Sequence, residues 1–206
     1  MEEHTLLSMK NDLFAIPVRK YHIDETETFL SWAKSEYLSD KFEDDGVYQK
    51  WIQQMPFGFM DYYTEVIEQF LRDIKVYDTH CGVITNITLR VLESGDSFDR
   101  ESTLPSHYTF THYIDTDTNK PDDIYYHPLN AILRAFDPGV DIPEWQNAGG
   151  VYTTAGDVVI YPSYLEQSTP KMTGPGTRIT ITCTFNLEPY KNDQGGGAGT
   201  EESTPG

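Results

Sequence analysis

Arg178 opens the run RITITCTF, residues 178–185, and carries the most legible chemistry in the chain. A two-residue alternation puts Arg178, Thr180, Thr182 and Thr184 on one face of a strand. Ile179, Ile181, Cys183 and Phe185 fall on the other. A guanidinium is a planar fork of donors that grips a carboxylate through two parallel hydrogen bonds. Together with three threonine hydroxyls it would line a small polar pocket, if that face points into the protein. Pointing outward, the same face would simply meet water, and threonine's ordinary preference for strands favours that reading on pattern alone.

The elements that would position Arg178 lie just upstream. The stretch from Gly149 reads as a strand, a turn at Ala155-Gly156-Asp157, and a buried run at Val158-Val159-Ile160-Tyr161. Pro162-Ser163 ends that run, and Pro170 to Gly176 is a Pro/Gly-rich loop before the closing strand. This order, with Tyr164-Leu165 after Pro-Ser and Thr177-Arg178-Ile179 to Phe185-Asn186 beyond the loop, resembles the C-terminal half of the 2-oxoglutarate/Fe(II)-dependent oxygenases. It is most similar to the small single-domain members of bacteria and phages. Asp12 to Val18 and the helices after it resemble the start of those proteins, so the likeness spans about residues 11–188.

The resemblance implies an α+β fold, mostly β: a double-stranded β-helix (a cupin-like jelly-roll barrel) with two N-terminal helices packed on one sheet. The helices would lie within about 24–75, the barrel over about 80–188, and an acidic Gly-rich tail over 189–206. It matches Arg178 to the arginine that binds the 5-carboxylate of 2-oxoglutarate, and Tyr113 would hydrogen-bond a ligand carboxylate from a neighbouring strand. The family holds iron with a His-x-Asp/Glu pair and a distal His. Here the distal position falls on Gln167, and the first His position on Arg100 or Glu101 within SFDRESTLPS. An amide oxygen is a weak neutral ligand, and an arginine repels a cation. Both halves of the metal motif are therefore missing. No catalytic residue is assigned and no cofactor is expected. Fe(II) and 2-oxoglutarate enter only if the protein is an active dioxygenase with unorthodox ligands at Glu101 and Gln167.

The remaining histidines read as structural. His22-Ile23-Asp24 is the only literal His-x-Asp, but it precedes both helices, and Asp24 with Glu27 makes a capping-box start for the first of them. Phe29, Ala33 and Tyr37 recur on one face of that helix, and residues 40–56 are polar with a turn at Asp44-Asp45-Gly46. A second helix, from near Pro56 to about Lys75, carries the stripe Phe59, Met60, Tyr63, Val66, Ile67, Phe70, Leu71 and Ile74. His80 to Leu92 alternates as a strand and turns at Ser94-Gly95-Asp96. In the strand Tyr108 to Ile114, His112 shares a face with Phe110, opposite Thr109, Thr111 and Tyr113. On a regular strand His107 and His112 fall on opposite faces and cannot share a metal without a bulge. Thr116 to Pro128 reads as an acidic loop containing Asp117, Asp122 and Asp123. Its spacing matches no EF-hand, so a solvated loop is preferred to a Ca²⁺ site. Asn130 to Phe136 reads as a strand and 140–148 as a loop anchored by Trp145.

At 206 residues the chain is one domain with a substantial core. Its net charge of −18 argues against nucleic-acid and anionic-membrane partners, which need a basic face. Cys81 and Cys183 read as reduced buried thiols. The acidic N-terminus is no secretory signal, so a cytoplasmic or, for a phage protein, host-cytoplasm or virion location is expected. The Gly-rich tail lacks apolar residues and would order only against a neighbour. The preferred reading is a catalytically degenerate oxygenase-like barrel, a structural or binding protein with a protein partner or self-assembly, in a phage a virion or assembly component. The alternatives are an active hydroxylase and an unrelated jelly-roll module that binds a sugar.

Overall fold

The computed structural model describes residues 18–40, 47–116, 123–126 and 148–190. The apolar stripe of the second helix fixes the architecture. Helix α2 (Phe59–Asp73) buries Phe59, Tyr63, Val66, Ile67, Phe70 and Leu71, while α1 (Thr26–Asp40) buries Phe29 and Ala33. Both helices lie on the outer face of a six-stranded sheet ordered β1–β8–β5–β10–β3–β2. Its strands are β1 (Arg19–His22), β2 (Tyr48–Trp51), β3 (His80–Leu92), β5 (Tyr108–Asp115), β8 (Asp157–Pro162) and β10 (Arg178–Pro189). A four-stranded sheet, β4–β9–β6–β7, faces its inner side. It comprises β4 (Phe98–Glu101), β6 (Asp123–Tyr126), β7 (Ala148–Val151) and β9 (Glu166–Thr169).

Every pairing is antiparallel, and no described strand of one sheet pairs with the other, so among the described residues the sheets form two facing layers that are not closed on each other. The alternation of β10 serves both layers. Ile179, Ile181, Cys183 and Phe185 pack under the helices with Leu89, Val91, Phe110, Val158 and Ile160, all fully buried. Aromatic contacts knit this core: Phe29 to Phe59 at 4.1 Å and Phe70 to Tyr108 at 4.8 Å between ring centroids. Each such side chain contributes about 1.5–3 kcal/mol of burial.

Several expectations need correction. Residues 48–51, read as part of a polar stretch, form the edge strand β2 against β3, and residues 166–169 form β9. The acidic loop contains β6: Asp123 is a buried strand residue, not a solvated loop carboxylate. Helix α1 starts at Thr26, whose hydroxyl donates to the Ile23 carbonyl at 3.0 Å, and the exposed Asp24 stands 3.6 Å from His22 Nε2 instead of capping the helix. Residues 13–17, Asp117, Asp122, His127, the 130–136 strand, Trp145 and the tail beyond 190 lie outside the described residues. Both cysteines are free thiols. No helix among the described residues is long and apolar enough to cross a membrane.

His112 sits in the helix-facing core, its ring edge-on to Phe29 at 4.8 Å and its Nδ1 3.1 Å from the Tyr63 hydroxyl. Burial first, and the neighbouring His22 second, push its pKa down to about 3, opposed by Asp157. Below its ordinary value near 6.5 the unfolded chain binds a proton that the folded chain refuses. Stability attributable to this site should therefore fall as pH drops from about 6.5 towards 3, by up to about 1.4 kcal/mol per pH unit. Urea unfolding at stepped pH should give a shallower slope for His112→Phe than for the parent; equal slopes would refute this account.

Gly156, at φ +93°, donates to the Tyr113 carbonyl at 2.7 Å and accepts from the Ile23 amide at 2.8 Å. A Cβ there would meet His22 Cε1 at 2.6 Å and the Ile23 carbonyl at 2.7 Å, whereas Gly95, at φ +98°, has open space around it. Gly95→Ala should cost about 1 kcal/mol of backbone strain. Gly156→Ala should cost clearly more, because a backbone carbonyl cannot swing aside. Equal shifts in urea midpoint would show that close packing adds nothing at Gly156.

Candidate functional site

The face of β10 that carries Arg178 points inward. Arg178, Thr180, Thr182 and Thr184 are all buried between the two sheets, which overturns the solvated-face reading. Register explains the lining. Thr180 lies between Arg90 on β3 and Tyr113 on β5, and Thr182 between Thr88 and Thr111, so these residues share one inner surface. The facing sheet supplies Asp123 and Tyr125 from β6 and Gln167 and Thr169 from β9.

Asp123 is the hub. Its side chain is 1% exposed, and its Oδ2 stands 2.7 Å from Arg178 Nη2. The same oxygen accepts from the Tyr113 hydroxyl at 2.6 Å and the Gln167 amide at 2.7 Å, while Oδ1 accepts from Thr169 at 2.7 Å. Tyr161 donates to Gln167 Oε1 at 2.8 Å, and the Tyr113 and Tyr125 hydroxyls are 3.0 Å apart. Burial is the largest influence on Arg178 and works against its charge, but the Asp123 carboxylate, together with the Tyr113 and Tyr125 phenols, outweighs it and holds the guanidinium above its ordinary pKa. Burial, then the same carboxylate, pushes Tyr113 and Tyr125 well up, so both phenols stay protonated and able to donate.

The predicted site residues thus come together, with a partner that the sequence reading missed. Arg178 and Tyr113 both contact a carboxylate, and it belongs to the chain itself. Glu101 is the register partner of Gln167, but its side chain is half exposed and stands 3.9 Å from Arg90. Arg100 stacks on Tyr126 at 4.1 Å and pairs with Glu166. The pattern that could have revealed Asp123 is the run Asp123-Ile124-Tyr125-Tyr126, whose β-rich composition puts Asp123 and Tyr125 on one face.

These residues do not fit a ferrous ion held by two imidazoles and a carboxylate. His112 lies on the opposite face of β5, among the helices. His107 accepts the Leu187 amide at 3.0 Å, and His22 pairs with Asp157 at 3.1 Å on the edge strand. His80 pairs with Pro189, at the far end of the β3–β10 ladder from Arg178. The Gln167 amide is committed at both ends, to Tyr161 and Asp123. Among the described residues no cluster of three His, Cys, Asp or Glu is arranged to hold a metal ion.

Removing one partner of a buried, hydrogen-bonded ion pair strands the other charge, at a cost of about 3–5 kcal/mol. Asp123→Ala should destabilise by that amount at neutral pH in urea unfolding. Acetate, which can enter the space left beside Arg178, should restore part of the loss, while chloride at equal ionic strength should not. Loss of less than about 1 kcal/mol would demote the pair from its central place.

No protein-family model and no curated protein matches the sequence. Solved structures do match. A prolyl-4-hydroxylase from Pseudomonas putida is 12% identical with a TM-score of 0.56, the match covering 85% of this chain and 95% of that one. A viral collagen prolyl hydroxylase from Paramecium Bursaria Chlorella virus-1 is 10% identical at TM-score 0.55, covering 82% and 94%. The α-ketoglutarate-dependent epimerase SnoN of nogalamycin biosynthesis is 12% identical at TM-score 0.55, covering 82% and 77%. At such identities the likeness speaks for the fold alone. Two facing antiparallel sheets with two helices on one of them are, by these comparisons, the fold of the 2-oxoglutarate/Fe(II)-dependent oxygenases.

Proposed function

We propose that this protein is a double-stranded β-helix of oxygenase type whose 2-oxoglutarate pocket is closed by its own carboxylate, and that it works as a structural or binding protein. The observation that carries this reading is the seat of Asp123 on Arg178. An internal carboxylate held by one guanidinium and three hydrogen bonds competes with any ligand carboxylate at a high effective concentration. The lack of an inward imidazole among the described residues points the same way, since oxygen activation is the work of the bound iron. The acidic chain suits a protein partner or self-assembly rather than nucleic acid. A virion or assembly component of a phage is the finer form of this reading, and it rests on the likeness to small phage members alone.

The second reading is an active dioxygenase that binds Fe(II) through Glu101, Gln167 and further groups. The antiparallel register of those two positions and the activities named for the matched structures support it. Isothermal titration of the full chain with Mn(II), with and without 2-oxoglutarate, separates the two. The proposal expects no saturable heat at millimolar metal and 2-oxoglutarate. Micromolar metal binding that 2-oxoglutarate tightens, and that Arg178→Ala removes, would sink it in favour of the enzyme.

A further inference from the structure

The space between the sheets holds a second buried guanidinium, and its circumstances differ from those of Arg178. Arg90 is 7% exposed, yet the carboxylate that approaches it, Glu101 Oε2, stands 3.9 Å from Nη2, beyond hydrogen-bond reach. One face of the guanidinium is covered by the Phe98 ring, 3.3 Å from its centroid, and the buried Nε has no hydrogen-bond partner. One register pair further along the same face, the buried hydroxyl of Thr182 is also without a partner. Buried polar atoms are overwhelmingly satisfied in native proteins, and buried charges are paired. Asp123 answers the charge of Arg178, which leaves one positive charge among the described residues of the interior without a buried counterpart.

This flank is also the one that solvent can approach. Arg90 sits next to the sheet edge, opposite Gln49 of β2, while Thr88 lies opposite Trp51. Gln49 is exposed, and Trp51 is 73% exposed. Across the gap stands β4, the edge of the other sheet, and no described strand pairs β2 with β4. We infer that Arg90, stacked on Phe98 and flanked by the Thr182 hydroxyl, is a binding site for a small organic carboxylate entering between β2 and β4. A planar monoanion matches a guanidinium whose ring face is already covered, since only the donor edge remains for hydrogen bonding. It also matches the single uncompensated charge. Glu101 stands at the rim, where half-exposure screens it, and works against the incoming anion. The site uses neither metal nor Arg178, so it goes beyond the proposed function and does not depend on it.

The test is a titration of the metal-free full chain with formate, followed through the nitrogen–proton correlations of the arginine Nε–H groups. Saturable binding in the millimolar range should move the Arg90 signal and leave that of Arg178 in place. Arg90→Gln should weaken binding about tenfold or more, the equivalent of one charge-assisted hydrogen-bonded contact. Thr182→Val, which keeps shape and burial, should weaken it less. Glu101→Gln should tighten it by removing a like charge from the rim. Absence of saturation, or saturation that shifts the Arg178 signal and survives Arg90→Gln, would overturn the assignment. A Glu101→Gln variant that binds formate more weakly would do so as well.

Discussion

The contact between Arg178 and Asp123 is the constraint around which the inner face of this protein is built. Two charges removed from water lose several kcal/mol of solvation each, and their mutual attraction recovers this only when further hydrogen bonds complete their shells. Asp123 has that completion: three donors in addition to the guanidinium, from β5 and β9 as well as β10. The pair also joins the two sheets, because β10 belongs to one and β6 to the other. A four-stranded sheet of four-residue strands has little apolar area with which to hold itself against its neighbour. Charge-assisted hydrogen bonds supply directional contacts that fix its register where hydrophobic burial would leave it free to slide.

The six-stranded sheet consequently has two interiors of different chemistry, separated by one layer of backbone. Consecutive residues of β5 make the point. His112 faces the helices among phenyl rings, where burial drives it to the neutral form. Tyr113 faces Asp123, where burial and a carboxylate together keep its proton on. The strand period of two is thus enough to place a base stripped of its proton beside an acid that keeps its own, a few ångströms apart and without contact. The helix side is closed and apolar. The side between the sheets is polar, hydroxyl-rich and bounded by two arginines.

Much of this was legible in the sequence wherever an element was long enough to repeat its pattern. The twelve residues of β10 and the fifteen of α2 declare their apolar faces without help, whereas the alternation of Tyr108 to Ile114 only sets Tyr113 opposite His112, and the family resemblance turns it towards the pocket. The four-residue strands β2, β6 and β9 are another matter. Each offers only two residues per face, too few to distinguish alternation from chance, and their strand state comes from the partner they pair with. Asp123 was lost for the same reason. Beside Asp117 and Asp122 it looks like one more acid of a solvated loop, and only long-range pairing through β9 reveals it as the counter-ion of Arg178. The absence of a metal motif was legible locally, because ligand identity at Gln167 and Glu101 is a property of single residues. The partner of Arg178 was not, because that answer depends on which segment the fold lays across the arginine.

An unpaired buried guanidinium costs more than most single domains can bear. Three outcomes are physically open to it: replacement by an apolar residue, exposure to solvent, or capture of a carboxylate from the chain. Here Arg178 is paired with a carboxylate of its own chain, whereas Arg90 is neither exposed nor given a buried counter-ion. Phe98 shields one face of Arg90 without neutralising it, and Glu101 stands close enough to lower its cost but not to satisfy it. Pairing Arg178 with an internal acid therefore does not make the interior inert; the second buried guanidinium, Arg90, still carries its positive charge near the open edge of the sandwich. Under the reading proposed above, whatever binding capacity remains belongs at that edge, beside the exposed Trp51.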